Sequence, residues 1–129
     1  MLLVDSTLYI DLLRARKDPV QALRPWLLDE EILCCGVIRC EVLRGVVSVK
    51  IRTRMRQLFE TMSSIEMDNT LWDETARLAW TLDRRGVVLP LTDLIIACCA
   101  MRTGATVVSS DEHFKQIPDL AISAALPSP

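Results

Sequence analysis

Four carboxylates stand out in the chain because of what surrounds them. Asp5 ends the apolar run Leu2-Leu3-Val4. Glu41 lies inside Val37-Ile38-Arg39-Cys40-Glu41-Val42-Leu43, and Asp93 opens the most apolar segment of the chain. Asp111 follows Val107-Val108-Ser109-Ser110. An ionised carboxylate in apolar surroundings is costly unless positive charge meets it. Each acid also has a local explanation. Asp5 and Asp93 would cap helices, Asp111 would cap a short helix before Phe114, and Glu41 would pair with Arg44 or Arg39 on a helix surface. Taken together, four acids in such settings are better explained by one site.

The chemistry that wants such a site is metal-assisted phosphoryl transfer. Hard divalent cations prefer carboxylate oxygens. Clustered carboxylates repel one another, which raises some of their pKa values until a cation neutralises them. One metal would activate a water and a second would steady the leaving oxygen, at a separation of about 3.5–4 Å. Competing chemistries lack their residues. The single histidine, His113, has no matching nucleophile motif, and neither GxxxxGK[ST] nor GxGxxG occurs. The five cysteines, at 34, 35, 40, 98 and 99, are odd in number and have no CxxC spacing. Neither a disulfide framework nor a structural zinc site is expected, and buried thiols in a reducing cytosol are.

The charge is unevenly placed. The chain carries a net charge of −2. Residues 39 to 56 nevertheless hold Arg39, Arg44, Lys50, Arg52, Arg54 and Arg56 against one acid, Glu41. That window is either a solvated helix face or a binding stripe for a polyanion that leads to Glu41. Gly45, one turn after Glu41, would leave room for a metal or phosphate or else for a close helix neighbour.

The elements that must position these residues follow from pattern. Leu2 to Val4 reads as a buried strand, with a helix over roughly 7 to 16 for which Ser6 and Thr7 are good N-cap types. Asp18-Pro19 opens a helix running to about Asp29, with Pro25 as a kink point. Glu31 to Cys35 reads as a second strand, broken by Gly36. Helices follow at Val37 to Val47 and Lys50 to Met62, the latter with Ile51, Met55, Leu58 and Met62 inward. Ser64 to Met67 is a short strand, and Thr70 to Arg85 is a long helix closed by Gly86. The helix over 92–103 is apolar almost all round, hence buried, and Gly104 ends it. Thr106 to Ser109 is a strand, and Leu120 to Ile122 an edge strand. Short apolar strands alternating with helices predict an α/β fold, a three-layer sandwich with a short, mostly parallel sheet flanked by helices. A chain of 129 residues without repeat or linker predicts one domain over 1–129. The longest wholly apolar stretch, Leu94 to Met101, is far short of the about 20 residues of a membrane span. The acid at position 5, with no basic run before it, does not fit a secretory leader.

At this level the chain resembles PIN domains. The four acidic motifs of that family are similar to Leu-Leu-Val-Asp5-Ser6-Thr7, Ile38-Arg39-Cys40-Glu41-Val42-Leu43-Arg44-Gly45, Leu91-Thr92-Asp93-Leu94-Ile95-Ile96-Ala97, and Val107-Val108-Ser109-Ser110-Asp111-Glu112-His113-Phe114. They occur in the family's order and cover the whole chain, and the group they most resemble is the VapC-type toxins of prokaryotic toxin–antitoxin pairs. The resemblance implies a PIN-like sandwich and an Mg²⁺- or Mn²⁺-dependent endoribonuclease. Asp5, Glu41 and Asp93 would be the core metal ligands, and Asp111 the fourth acid. Ser109 would support the acids, and His113 would serve a structural hydrogen bond rather than take a direct part. Arg44, Arg52, Arg54 and Arg56 are the candidate RNA contacts. The six aromatic residues are too sparse for a base-stacking platform, so substrate choice would rest on RNA shape and backbone. The resemblance further implies a small antitoxin partner, a homodimer and a cytoplasmic location. Two other classes stay open. One is an RNA-processing PIN nuclease without an antitoxin. The other is a non-enzymatic, receiver-like module with an acidic pocket, although Lys115, the only late lysine, is in the wrong setting for it.

Overall fold

The computed structural model describes residues 1–29 and 31–129. Among these described residues five strands form one sheet: β1 (Leu2–Val4), β2 (Ile32–Cys34), β3 (Ser63–Ser64), β4 (Thr106–Val108) and β5 (Ile122–Ser123). Their order is β3-β2-β1-β4-β5 and every pairing is parallel. Leu3 stands opposite Leu33 on one side and Val107 on the other. The three central strands are covered on both faces, which is why they read as unbroken apolar runs rather than alternating ones.

Six helices among the described residues connect the strands: α1 (Ser6–Arg14), α2 (Pro19–Leu28), α3 (Gly36–Gly45), α4 (Val49–Glu60), α5 (Asn69–Arg84) and α6 (Leu91–Thr103). A 3-10 helix follows at Glu112–Gln116. The chain walks outward from β1 to β2 to β3, then returns past β1 to β4 and β5. With right-handed crossovers, that reversal puts the connections after β1 and β2 on one face and those after β3 on the other. The expected sandwich results, and its sheet is wholly parallel.

Local chemistry sets the helix ends. Asp18 accepts from the Val20 amide ahead of Pro19, and α2 then runs through Pro25 as one helix. Ser48 and Asp68 cap α4 and α5 through the Ile51 and Leu71 amides. Gly104 closes α6 in the left-handed region at φ 70°. Tyr9 sits in the core edge-on to Phe59, with ring centroids 5.2 Å apart. Burial drives its hydroxyl pKa far upward, so it stays neutral.

Several expectations need correction. Ser6 and Thr7 do not cap α1; Asp5 occupies the N-cap position, and both hydroxyls turn toward carboxylates instead. The third strand is Ser63–Ser64, earlier and shorter than predicted, and the last is Ile122–Ser123. Ile51 is 41% exposed, because the first turn of α4 overhangs a surface groove. Cys34, Cys35, Cys98 and Cys99 are buried and free, but Cys40 is exposed.

Candidate metal centre

In an open parallel sheet, ligands gather beyond the carboxyl ends of the strands, where the strand order reverses direction. Here that point lies between β1 and β4. Asp5 immediately follows β1, and Ser109 and Asp111 follow β4. Register fixes the two strand ends side by side, since Val4 is opposite Val108 and the Asp5 amide donates to the Val108 carbonyl at 3.0 Å. Asp93 enters from the first turn of α6 and Glu41 from the middle of α3.

Asp5 is 2% exposed. Its carboxylate takes no part in capping α1. It accepts instead from Ser109 Oγ at 2.9 Å and Thr7 Oγ1 at 3.0 Å. Ser109 Oγ in turn accepts from the Asp111 amide at 3.0 Å, so one hydroxyl ties together the ends of both strands. Ser6 Oγ donates to Glu41 Oε1 at 3.3 Å and links α1 to α3. Among the described residues Glu41 pairs with neither Arg39 nor Arg44. Asp93 is 8% exposed and does not cap α6.

Asp111 serves its local role as well as facing the cluster. Its carboxylate accepts from the His113 amide at 2.9 Å and caps the 3-10 helix. That turn swings the His113 ring inward, so that Nδ1 lies 2.8 Å from Asp93 Oδ2 and 3.2 Å from Asp111 Oδ1. The expected structural hydrogen bond therefore exists, and its partners are two of the four acids. Asp93, Asp111 and His113 each offer a ligand atom within 4.8 Å of the other two. The signal for this in the sequence was the spacing Asp111-Glu112-His113-Phe114, a cap followed by a tight turn.

The electrostatics join all four acids. Burial, then the charge of Asp5 and of Asp93, pushes the Glu41 carboxyl above its ordinary value. Burial also raises Asp93; the bond from His113 opposes this, and the charges of Asp111 and Asp5 add to it. The Asp93 carboxylate in return holds the His113 pKa above its usual 6.5. Such a cluster is short of positive charge. An all-oxygen set with one imidazole at its margin suits a hard or intermediate divalent cation.

The PIN domain pattern matches residues 2–120. The chain belongs to the PIN domain family. Two relatives are similar to this PIN domain along almost all of its length. They are the VapC ribonuclease Mb1587 of Mycobacterium bovis and the ribonuclease VapC11 of Mycobacterium tuberculosis. Each is 28% identical over 122 residues, covering 91% of both chains. The same fold occurs in the VapBC2 structure from Rickettsia felis, with a TM-score of 0.76 and 18% identity. It covers 95% of this chain and 96% of that one. The DNA-bound VapBC structure from Salmonella typhimurium gives a TM-score of 0.77 at 16% identity, with the same coverage.

Two sequence expectations land elsewhere in this PIN domain. Gly45 is the last residue of α3 rather than an interior one, because Val46 turns extended. A Cβ there would meet nothing within 4 Å, so it marks no close helix packing. It lines a groove with Ile10, Leu13, Val47 and Ile51, away from the acids. The basic window is also not one stripe. Arg54 is bound to Asp18, with Nε 3.2 Å from Oδ1, and Arg56 lies 4.0 Å from Glu60.

Ser109 offers a direct check on the architecture. Ser109→Ala removes one of the two close hydroxyl donors to the buried Asp5 carboxylate, which keeps Thr7, and the acceptor of the half-buried Asp111 amide, which loses its partner. The expected cost is about 1–3 kcal/mol by urea denaturation. A midpoint equal to wild type would mean that water replaces both bonds and that the hydroxyl does not organise the rim.

Proposed function

We propose that this PIN domain is a divalent-cation-dependent endoribonuclease acting as the toxin of a toxin–antitoxin pair. What supports the reading is the group Asp93, Asp111 and His113, whose ligand atoms lie within 4.8 Å of one another, with Asp5 tied to the Asp111 turn through Ser109 and its charge reaching Glu41 and Asp93. Similarity to VapC ribonucleases over 91% of the chain supports the substrate class. Asp5, Glu41, Asp93 and Asp111 would hold Mg²⁺ or Mn²⁺. When bound, the cation supplies charge to a phosphodiester and makes an adjacent water more acidic.

The chain's own residues do the rest. Ser109 and Thr7 fix the position of Asp5, each donating a hydroxyl hydrogen bond to its carboxylate. Ser6 does the same for Glu41 from the neighbouring helix. His113 orients Asp93 and Asp111 through Nδ1, which lies between their carboxylates. Burial of Asp5 and Asp93 keeps bulk water from solvating them, so their charge acts at full strength on whatever enters.

The reading extends to partners. Two adjoining hollows, of about 270 and about 460 Å³, share Leu13 and Ile51 and form an apolar groove beside α1 and α4. A groove of this kind suits the apolar face of a small antitoxin. That the structural relatives are VapBC complexes supports the same partner. The protein would act as a single nuclease domain over 1–129, as a homodimer, in the cytoplasm. Among the described residues no helix is long and apolar enough to cross a membrane. The test is expression with and without any small reading frame found just upstream of its gene, paired with incubation of purified protein and RNA with Mn²⁺. Growth arrest relieved by the second frame, with cleavage lost in Asp5→Asn, is the expected result. Cleavage without growth arrest would favour an RNA-processing nuclease, and no cleavage with either cation would refute the enzyme.

A further inference from the structure

The structure divides the basic window into two unlike parts. Arg54 and Arg56 lie against acids. Arg39, Arg44 and Arg52 have no carboxylate within ion-pair distance among the described residues. All three line one cleft of about 630 Å³, together with Gly36, Cys40, Leu43 and Ser64. The α3 helix supplies Arg39 and Arg44, α4 supplies Arg52, and Ser64 is the end of β3. Three unneutralised guanidinium groups in one concavity repel one another, a cost that an anion removes. A polyphosphate backbone fits better than a single ion, because each planar fork can take two oxygens of a separate phosphate.

Position favours one polyanion over others. The cleft opens at the carboxyl ends of β2 and β3, on the rim that carries the acids. Neighbouring strands lie about 4.8 Å apart, so β3 is only about 10 Å from β1, a span that a short run of nucleotides crosses. Glu41 sits on α3 between Arg39 and Arg44, and the Arg44 charge reaches its carboxylate. The cleft therefore adjoins the acid cluster along α3, with Arg44 on its wall one helical turn from Glu41.

We infer that the cleft of Arg39, Arg44 and Arg52 holds the phosphate backbone of single-stranded RNA on one side of the scissile bond. This rests on the ribonuclease reading above. The cleft sets substrate position and affinity and takes no part in bond breaking. It recognises backbone and admits any base, since the one large apolar side chain beside its cations is Leu43.

Cys40 supplies a built-in reporter, as the one exposed cysteine among the described residues and a wall of the cleft. In Asp5→Asn protein with Mn²⁺, an unstructured RNA oligonucleotide should slow alkylation of Cys40 by iodoacetamide severalfold, read by mass spectrometry, and polyglutamate should not. In wild type, Arg39→Gln and Arg52→Gln should each raise KM roughly three- to tenfold and flatten the log–log salt slope of RNA binding by about 0.7, with kcat within about twofold. Arg77→Gln on α5 should change neither. Protection by polyglutamate and not by RNA would overturn the inference in favour of an acidic protein segment. Wild-type cleavage with KM and salt slope unchanged in both variants would overturn it while leaving the ribonuclease reading intact. Absence of metal-dependent cleavage by wild type would overturn both.

Discussion

Asp93→Asn should lower metal-dependent RNA cleavage by about 10³-fold, the scale on which losing one preorganised charge partner acts on a reaction rate. The same change should leave the metal-free fold as stable as wild type at neutral pH or more so. In wild type, burial and the charges of Asp111 and Asp5 outweigh the His113 bond, and the carboxyl is held above its ordinary value. Ionising it at pH 7 therefore costs the folded state free energy, which the neutral amide does not. The amide oxygen of the substituted side chain can still accept from the His113 ring, so the turn keeps its anchor. A helix-capping role for Asp93 predicts the reverse pair of results, reduced stability with activity retained. Cleavage kinetics and thermal melting of the one variant separate the two, and wild-type cleavage would remove Asp93 from the site.

The second large effect is the response of the melting temperature to Mn²⁺ and pH together. A cation that binds only the folded state stabilises it by about 2.7 kcal/mol at a hundredfold excess over Kd, on the order of 10 °C for a chain of this size. Without the cation the signs run the other way. Glu41 and Asp93 have raised carboxyl pKa values in the fold. The folded state thus binds protons more readily than the unfolded one, and stability contributed there falls as pH rises from about 4 through the raised values. His113 is also raised, by its bond to Asp93. Its contribution is complete below the unfolded value of about 6.5 and is lost as pH rises through the folded one. All three groups thus make the empty cluster less favourable at pH 8 than at pH 5, while the cation competes best when protons have left. The Mn²⁺-induced rise should be small at pH 5 and largest near pH 8. An increment that is flat across this range would argue that the cation binds somewhere other than these groups.

The parts of the fold legible in the sequence were those set by a single physical cause. Unbroken apolar runs ended by an acid marked β1 and β4, since strands buried on both faces cannot alternate. The uniform apolarity of α6 announced a buried helix, and Gly104 its end. What was not legible depended on residues distant in the chain. Arg54 looked like part of a basic stripe because its partner, Asp18, lies 36 residues away. Ile51 fitted the inward periodicity of α4, but periodicity gives a face without telling whether the chain opposite reaches that far. Ser6 and Thr7 had cap chemistry, and the carboxylates of Asp5 and Glu41 competed for their hydroxyls and won. For the candidate site, the sequence marked the four acids and their order. It could not show that the cap at Asp111 would also deliver His113 to Asp93, because that depends on a turn and on α6 arriving beside it.

The middle strand of the sheet is the first to be made, and one of its two neighbours is among the last. The Ser109–Asp5 hydrogen bond spans 104 residues of chain. At roughly 5–20 residues per second, translation leaves about 5 to 20 seconds between the appearance of Asp5 and that of Ser109. Throughout that interval β1 has β2 beside it and an open edge where β4 belongs. No nascent chain ending before residue 111 can carry the full acid cluster, however well its first half has folded. If the four acids are the working site, no activity precedes docking of the late strand, and premature stop codons upstream of β4 should yield inert fragments rather than weakened enzymes.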